Sequence, residues 1–87
     1  MRQAARRDGN EEQIVIALQA GGCSVIRLSQ KGVPDLLVGR QGVTFLLEVK
    51  EAKGALTDDQ ETFFENWQGC AYIVRSVEDA LEVVGLQ

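Results

Sequence analysis

The amino-acid sequence predicts one α/β domain with the element order αβββαβα, in which a four-stranded mixed sheet is flanked by helices. Three observations lead to that class. A chain of 87 residues, 45% of them apolar, supplies one core and is too short for two. Apolar side chains recur at helical spacing near both ends of the chain, whereas its middle consists of short alternating or β-branched runs broken by glycine. Three consecutive strands, then a helix and a fourth strand, imply a mixed sheet with the last crossover packed on one face.

Each element has its own local cause. Asn10, with Gln13 three residues on, has the form of a capping box, and Ile14, Ala17, Leu18 and Gly21 follow at helical spacing, so a first helix is expected over 11–20. Gly21-Gly22 stops it. Residues 24–29 alternate as a strand before the loop Gln30-Lys31-Gly32, and Pro34 opens a short strand over 35–38, where its missing N–H is tolerated. Gly39-Arg40-Gln41-Gly42 reads as a tight turn into a strand over 43–50, which pairs these two strands as a hairpin. After a glycine-containing loop over 51–56, Thr57 and Gln60 form a second capping box heading a helix to about residue 68, which Gly69 ends. A buried-looking strand over 71–75 follows, and Ser76 with Asp79 caps a last helix carrying Val77, Ala80, Leu81 and Val84.

Composition narrows the chemistry. The chain has no histidine, which removes Ser-His-Asp triads, Cys-His pairs and His-ligated zinc. Cys23 and Cys70 stand far apart without CxxC spacing and are expected as reduced thiols. No stretch has the length and apolarity of a signal peptide or a membrane span, so the reading is cytoplasmic. Residues 1–9 carry Arg2, Arg6 and Arg7 and read as a flexible basic arm ahead of a domain over 10–87. The formal net charge of -4 means that a nucleic-acid partner must be met locally, because bulk attraction to phosphates needs an excess of cations. So small a domain buries a modest fraction of its surface, and a homodimer is expected.

Carboxylate and lysine chemistry remain. Side chains two apart on a strand share a face, so Glu48 and Lys50 project together, opposite Phe45, Leu47 and Val49. At the end of a strand they form an ordinary solvated pair unless something joins them. The hairpin joins Asp35, whose carboxylate it carries beside that of Glu48. Two carboxylates, a main-chain carbonyl near Val49 and water suffice for magnesium. Lys50 would orient or help deprotonate a water and offset charge building on a phosphate. Glu11 falls on the inward stripe of the first helix, either as a further metal ligand or as a first-turn acid favoured by the helix dipole. Gln60 is either the partner of Thr57 or an amide facing the site. Phe63, Phe64 and Trp67 are read as packing, and Arg27, Lys31 and Lys53 flank the site as candidate phosphate contacts.

Taken together, Gly32-Val33-Pro34-Asp35, Leu46-Leu47-Glu48-Val49-Lys50 and Leu56-Thr57-Asp58-Asp59-Gln60 resemble the VRR-NUC (virus-type replication-repair nuclease) branch of the PD-(D/E)xK nucleases. The opening Glu11-Glu12-Gln13-Ile14 and the ending Arg75-Ser76-Val77-Glu78-Asp79 fit small stand-alone members, typically of phages and bacteria. The resemblance implies a restriction-endonuclease-like core and Mg2+- or Mn2+-dependent phosphodiester cleavage, with no organic cofactor. Asp35, Glu48 and Lys50 inherit the central roles, with Glu11, or Glu12 one residue on, as helix carboxylate and Gln60 as accessory amide. Stand-alone members resemble homodimeric, structure-specific endonucleases acting on branched DNA such as Holliday junctions. Two other readings fit the same fold, namely a DNA-binding or assembly module that does not cut, and a phage nuclease directed at flaps or ends.

Overall fold

The computed structural model describes residues 9–87, so the expected basic arm, with Arg2, Arg6 and Arg7, lies outside the described residues apart from Gly9. Gly9 itself stands in a turn and donates its N–H to Glu51 Oε2 at 2.9 Å, which moves it from the arm to the domain. The elements are α1 (Glu11–Ala20), β1 (Ser24–Arg27), β2 (Leu36–Arg40), β3 (Val43–Val49), α2 (Asp58–Asn66), β4 (Ala71–Val74) and α3 (Val77–Val83). The sheet order is β1-β2-β3-β4, with β1/β2 and β2/β3 antiparallel and β3/β4 parallel. The predicted mixed sheet and three helices are therefore present. No helix among the described residues is long and apolar enough to cross a membrane.

Register assigns every strand residue to a face, because directly paired residues project the same way. Leu36, Val38, Leu47, Val49 and Val74 share the face that packs against Ile14, Val15 and Leu18 of α1 and Ala80 and Val84 at α3, and this is the hydrophobic core. Ile26, Leu37, Leu46, Glu48 and Ile73 share the opposite face, on the side of α2. That second face is thinly covered: α2 contributes no fully buried side chain, and Ile26 and Ile73 remain exposed. Phe63 and Phe64 are half-buried and meet each other edge-on at 5.9 Å, Trp67 is exposed and stacks on Phe63 at 5.0 Å, and none of the three joins the core cluster. Cys23 is buried, Cys70 is exposed, and both are free.

Three local expectations are corrected. The hairpin loop is two residues long, Gln41-Gly42, with φ of 51° and 82°, so β2 continues through Gly39 and Arg40. Two successive positive φ values give the primed turn whose twist matches the strands it joins. Next, α2 ends two residues before the expected end, because Trp67 turns extended ahead of Gly69. The third correction is at Asn10, which makes no side-chain cap on α1. Its amide donates instead to the Lys50 carbonyl at 3.2 Å and the Arg75 carbonyl at 3.1 Å, tying the start of α1 to the ends of β3 and β4. Those two donations, to carbonyls 40 and 65 residues away, set the orientation of the amide, and its Oδ1 is left without a donor among the described residues. The caps at α2 and α3 form as expected: Thr57 accepts from the Gln60 N–H, and Ser76 accepts from the Asp79 N–H at 3.0 Å.

Candidate functional site

The site forms where β2 begins and β3 ends. Asp35 precedes the first residue of β2, and its carboxylate reaches across to accept the N–H of Val49 at 2.8 Å. The main chain of Val49 beyond the start of β2 thus turns to a side chain for the partner that the ladder no longer supplies. The N–H and C=O of a strand residue leave on the same edge, so the Val49 carbonyl also lies on the Asp35 side. Glu48 projects from β3 on the α2 face, and the Asp35 carboxyl lies close enough to share a hydrogen bond with it. Lys50, two residues on and of the same parity, places Nζ 3.6 Å from Glu48 Oε2. Asp35, Glu48 and Lys50 therefore converge, as the strand alternation and the hairpin predict.

The expectation that Glu48 and Lys50 stand at an exposed strand end is wrong. Glu48 is 1% exposed and the Lys50 side chain 12%. Leu46, Glu48 and Lys50 follow one another on the thinly covered face, but α2 begins directly over this corner and Gln60 closes it. The Gln60 amide performs both of its anticipated roles at once. Its Oε1 accepts the Thr57 N–H at 2.9 Å, completing the capping box, while its Nε2 donates to Glu48 Oε2 at 3.1 Å.

Electrostatics follow from this enclosure. Burial first, and the adjacent Asp35 second, push the Glu48 carboxyl from its ordinary 4.5 up to about 8, with Lys50 acting in the opposite direction. Burial and the second carboxyl thus favour the protonated form of Glu48 when no cation is bound. Glu48 Oε1 is enclosed and has no hydrogen-bond donor among the described residues. A buried carboxylate oxygen facing a second carboxylate needs either a proton or a cation. The donor set of hard oxygens suits a divalent ion such as magnesium, which needs only one or two carboxylates because water fills its remaining positions.

Other candidates are placed elsewhere. Arg27 pairs with Leu36 in the sheet and so projects on the core face, away from Glu48. There it meets α1, with Nη1 3.6 Å from Glu11 Oε2 and Nη2 bonded to Glu12 Oε1. Glu11 is buried but belongs to this cluster on the α1 side, and no group of three His, Cys, Asp or Glu suited to a cation forms among the described residues. The two acids divide between one arginine, so both candidates for a helix carboxylate are engaged with it. Strand parity, which also governs Glu48 and Lys50, would have given Arg27 its face. Lys31 is exposed and pairs with Asp59 at 3.5 Å, and Lys53 is exposed in the loop after β3. Sequence reasoning missed Asn10 and Arg75, whose role emerges only from the contacts around Lys50.

The dual use of Gln60 yields a separable prediction. Gln60→Leu removes both the Glu48 contact and half of the capping box, whereas Thr57→Ala removes the hydroxyl acceptor and leaves the Glu48 contact. Both should lower stability by about 1 kcal/mol. Only the Gln60 change should reduce metal affinity or turnover, by about 10–100-fold, the usual cost of losing a group that orients a ligand. Equal losses in the two variants would reduce Gln60 to a cap.

No protein-family model matches this chain, and neither a curated protein nor a solved structure matches it.

Proposed function

We propose that the protein is a divalent-metal-dependent endonuclease with a restriction-endonuclease-like core, hydrolysing phosphodiester bonds in branched DNA as a homodimer. The observation that carries this reading is the enclosed Glu48 carboxyl, which has an undonated oxygen and lies beside Asp35, Lys50 and Gln60. A buried carboxyl serving the fold alone would have both oxygens satisfied, and two adjacent carboxyls are a poor way to stabilise a core. When bound, Mg2+ or Mn2+ supplies Lewis acidity toward a phosphate and makes hydroxide available near neutral pH.

The residues divide the remaining work. Asp35 and Glu48 would hold the ion, with the Val49 carbonyl on the same edge as a third oxygen. Lys50 places a positive charge beside the carboxylates, where it can orient a water and offset charge developing on the phosphate. Gln60 fixes the rotation of the Glu48 carboxyl through Nε2. Lys31 and Lys53 are exposed and available to phosphates, while Arg27 would have to leave Glu11 and Glu12 to join them. Binding of the ion also reduces the local negative charge that would repel DNA from a chain of net charge -4. Exposed Ile26, Ile73 and Trp67, with the thin cover of that side of the sheet, support a dimer.

Incubating labelled four-way junction, flap and linear duplex with Mg2+ or Mn2+ tests the reading. The expected result is cleavage that needs the ion and is fastest on the junction. Metal-independent junction binding without nicks would replace the enzyme by a binding module on this fold, and preferential cutting of flaps or ends would replace the substrate.

A further inference from the structure

We infer that Arg75 is a positioning residue for Lys50, acting through the turn at 51–54; this rests on the nuclease reading for its catalytic consequence and on geometry for its structural one. Arg75 follows the last residue of β4, and its Nη1 is surrounded by main-chain carbonyls, donating to Glu51 at 2.9 Å, Ala52 at 3.4 Å and Gly54 at 2.7 Å. These three oxygens belong to the chain that leaves β3 immediately after Lys50.

A turn whose residues 51–53 are exposed needs no guanidinium for its own sake, since water would satisfy those carbonyls. Gathering them around one cation instead fixes the path of the turn, which the Gly54 N–H to Glu51 carbonyl bond at 2.9 Å closes. The result reaches Lys50 directly. A Cβ at Gly54 would stand 3.5 Å from Lys50 Cδ, so the turn lies against the aliphatic stem of that lysine. With its stem confined, the ammonium is aimed at Glu48 and its side chain is largely removed from water.

Arg75 is itself held firmly enough to serve as a brace. Its N–H donates to Asp79 Oδ2 at 2.9 Å, and its carbonyl accepts from the Asn10 amide that also holds the Lys50 carbonyl. The Lys50 N–H donates to the Val74 carbonyl at 3.0 Å, which completes a closed link between the ends of β3 and β4. The main chain of Lys50 is thus fixed by the sheet and Asn10, and its side chain by the Arg75 turn. Loss of the guanidinium frees the second without the first.

The test compares wild type, Arg75→Lys, Arg75→Gln, Lys50→Met and the Arg75→Gln/Lys50→Met double variant. Each is checked for cooperative melting, and lysine accessibility is read by reductive methylation with peptide mass analysis. Lys50 should methylate about fivefold faster, relative to Lys31 and Lys53, in Arg75→Gln, with Arg75→Lys intermediate because an ammonium can still donate to part of the carbonyl set. If Arg75→Gln fails to fold, Arg75→Lys must still exceed wild type by about twofold. Unchanged labelling of Lys50 in the folded variants overturns the proposal whether or not the protein cuts DNA.

In a cleavage-competent wild type, Arg75→Gln should lower kcat by about tenfold or more with KM within about twofold, because a misplaced group costs the chemical step rather than DNA binding. Added to Lys50→Met, it should cost nothing further. Multiplicative losses in the double variant would overturn action through Lys50. Absence of cleavage by wild type would defeat the nuclease reading alone, leaving the labelling to decide the placement of Lys50.

Discussion

Replacing Glu48 with glutamine should abolish metal-dependent cleavage and at the same time make the metal-free protein more stable at alkaline pH. The substitution keeps the shape and the contact with Gln60 and removes only the capacity to ionise. In the wild type, folding raises the Glu48 carboxyl from an ordinary 4.5 to about 8, so the folded chain holds a proton that the unfolded chain releases. That contribution is complete below about pH 4.5, declines as pH rises, and is lost once pH passes about 8. Melting of wild type should therefore weaken from pH 6 to pH 9 by at least about 1 kcal/mol more than melting of Glu48→Gln, since each unit of pKa difference is worth about 1.4 kcal/mol.

Adding Mn2+ should reverse the order at pH 8, stabilising the wild type by mass action and leaving the variant unchanged. Cleavage should fall by about 10³-fold or more, the scale expected when a group essential to charge stabilisation is removed. Parallel pH profiles for the two proteins, or retained cutting by Glu48→Gln, would contradict the assignment. The same proton predicts that metal binding at pH 7 releases close to one proton, measurable as a dependence of binding heat on buffer ionisation.

Lys50→Met should give the second large effect, a loss of about 10²–10³ in turnover with the aliphatic stem still packed. Because Lys50 is what pulls the Glu48 carboxyl downward, removing its charge should raise that carboxyl further. Metal must then displace a more tightly held proton, so apparent affinity at pH 7 should fall and recover as pH rises. Lys50→Arg should not restore turnover, because a planar fork cannot occupy the place of a compact ammonium 3.6 Å from Glu48 Oε2. Turnover within a fewfold of wild type in Lys50→Met would remove the lysine from the chemistry. Both substitutions need melting controls, since neither residue lies on an open surface.

Much of the fold was legible because its causes are local. Thr57 and Gln60 close their capping box three residues apart, Ser76 caps α3 by accepting from the Asp79 N–H, and Gly42 follows a hairpin strand where a positive φ is required. The convergence of Asp35, Glu48 and Lys50 was legible for the same reason: parity puts Glu48 and Lys50 on one face, and a tight hairpin brings the start of one strand beside the end of the other. Asn10 misled because the orientation of its amide is set by two carbonyls across the domain that its Nδ2 donates to, and its oxygen does not reach the helix N–H groups. Arg27 was grouped with the site as a flanking cation, yet strand parity turns it to the core face, where it meets the inward Glu11 of α1.

By itself, the sequence determined the order of the elements, the mixed sheet and the set of acidic and basic groups that strand alternation brings together, all of which follow from periods of 2 and 3.6 residues and from turn chemistry. Tertiary structure alone decided that Glu48 is buried with an oxygen lacking a donor, that Gln60 serves its cap and Glu48 together, and that Arg75 braces the turn after Lys50. Burial and hydrogen-bond choice depend on surfaces that meet only after folding, whereas alternation is a property of the backbone wherever it lies.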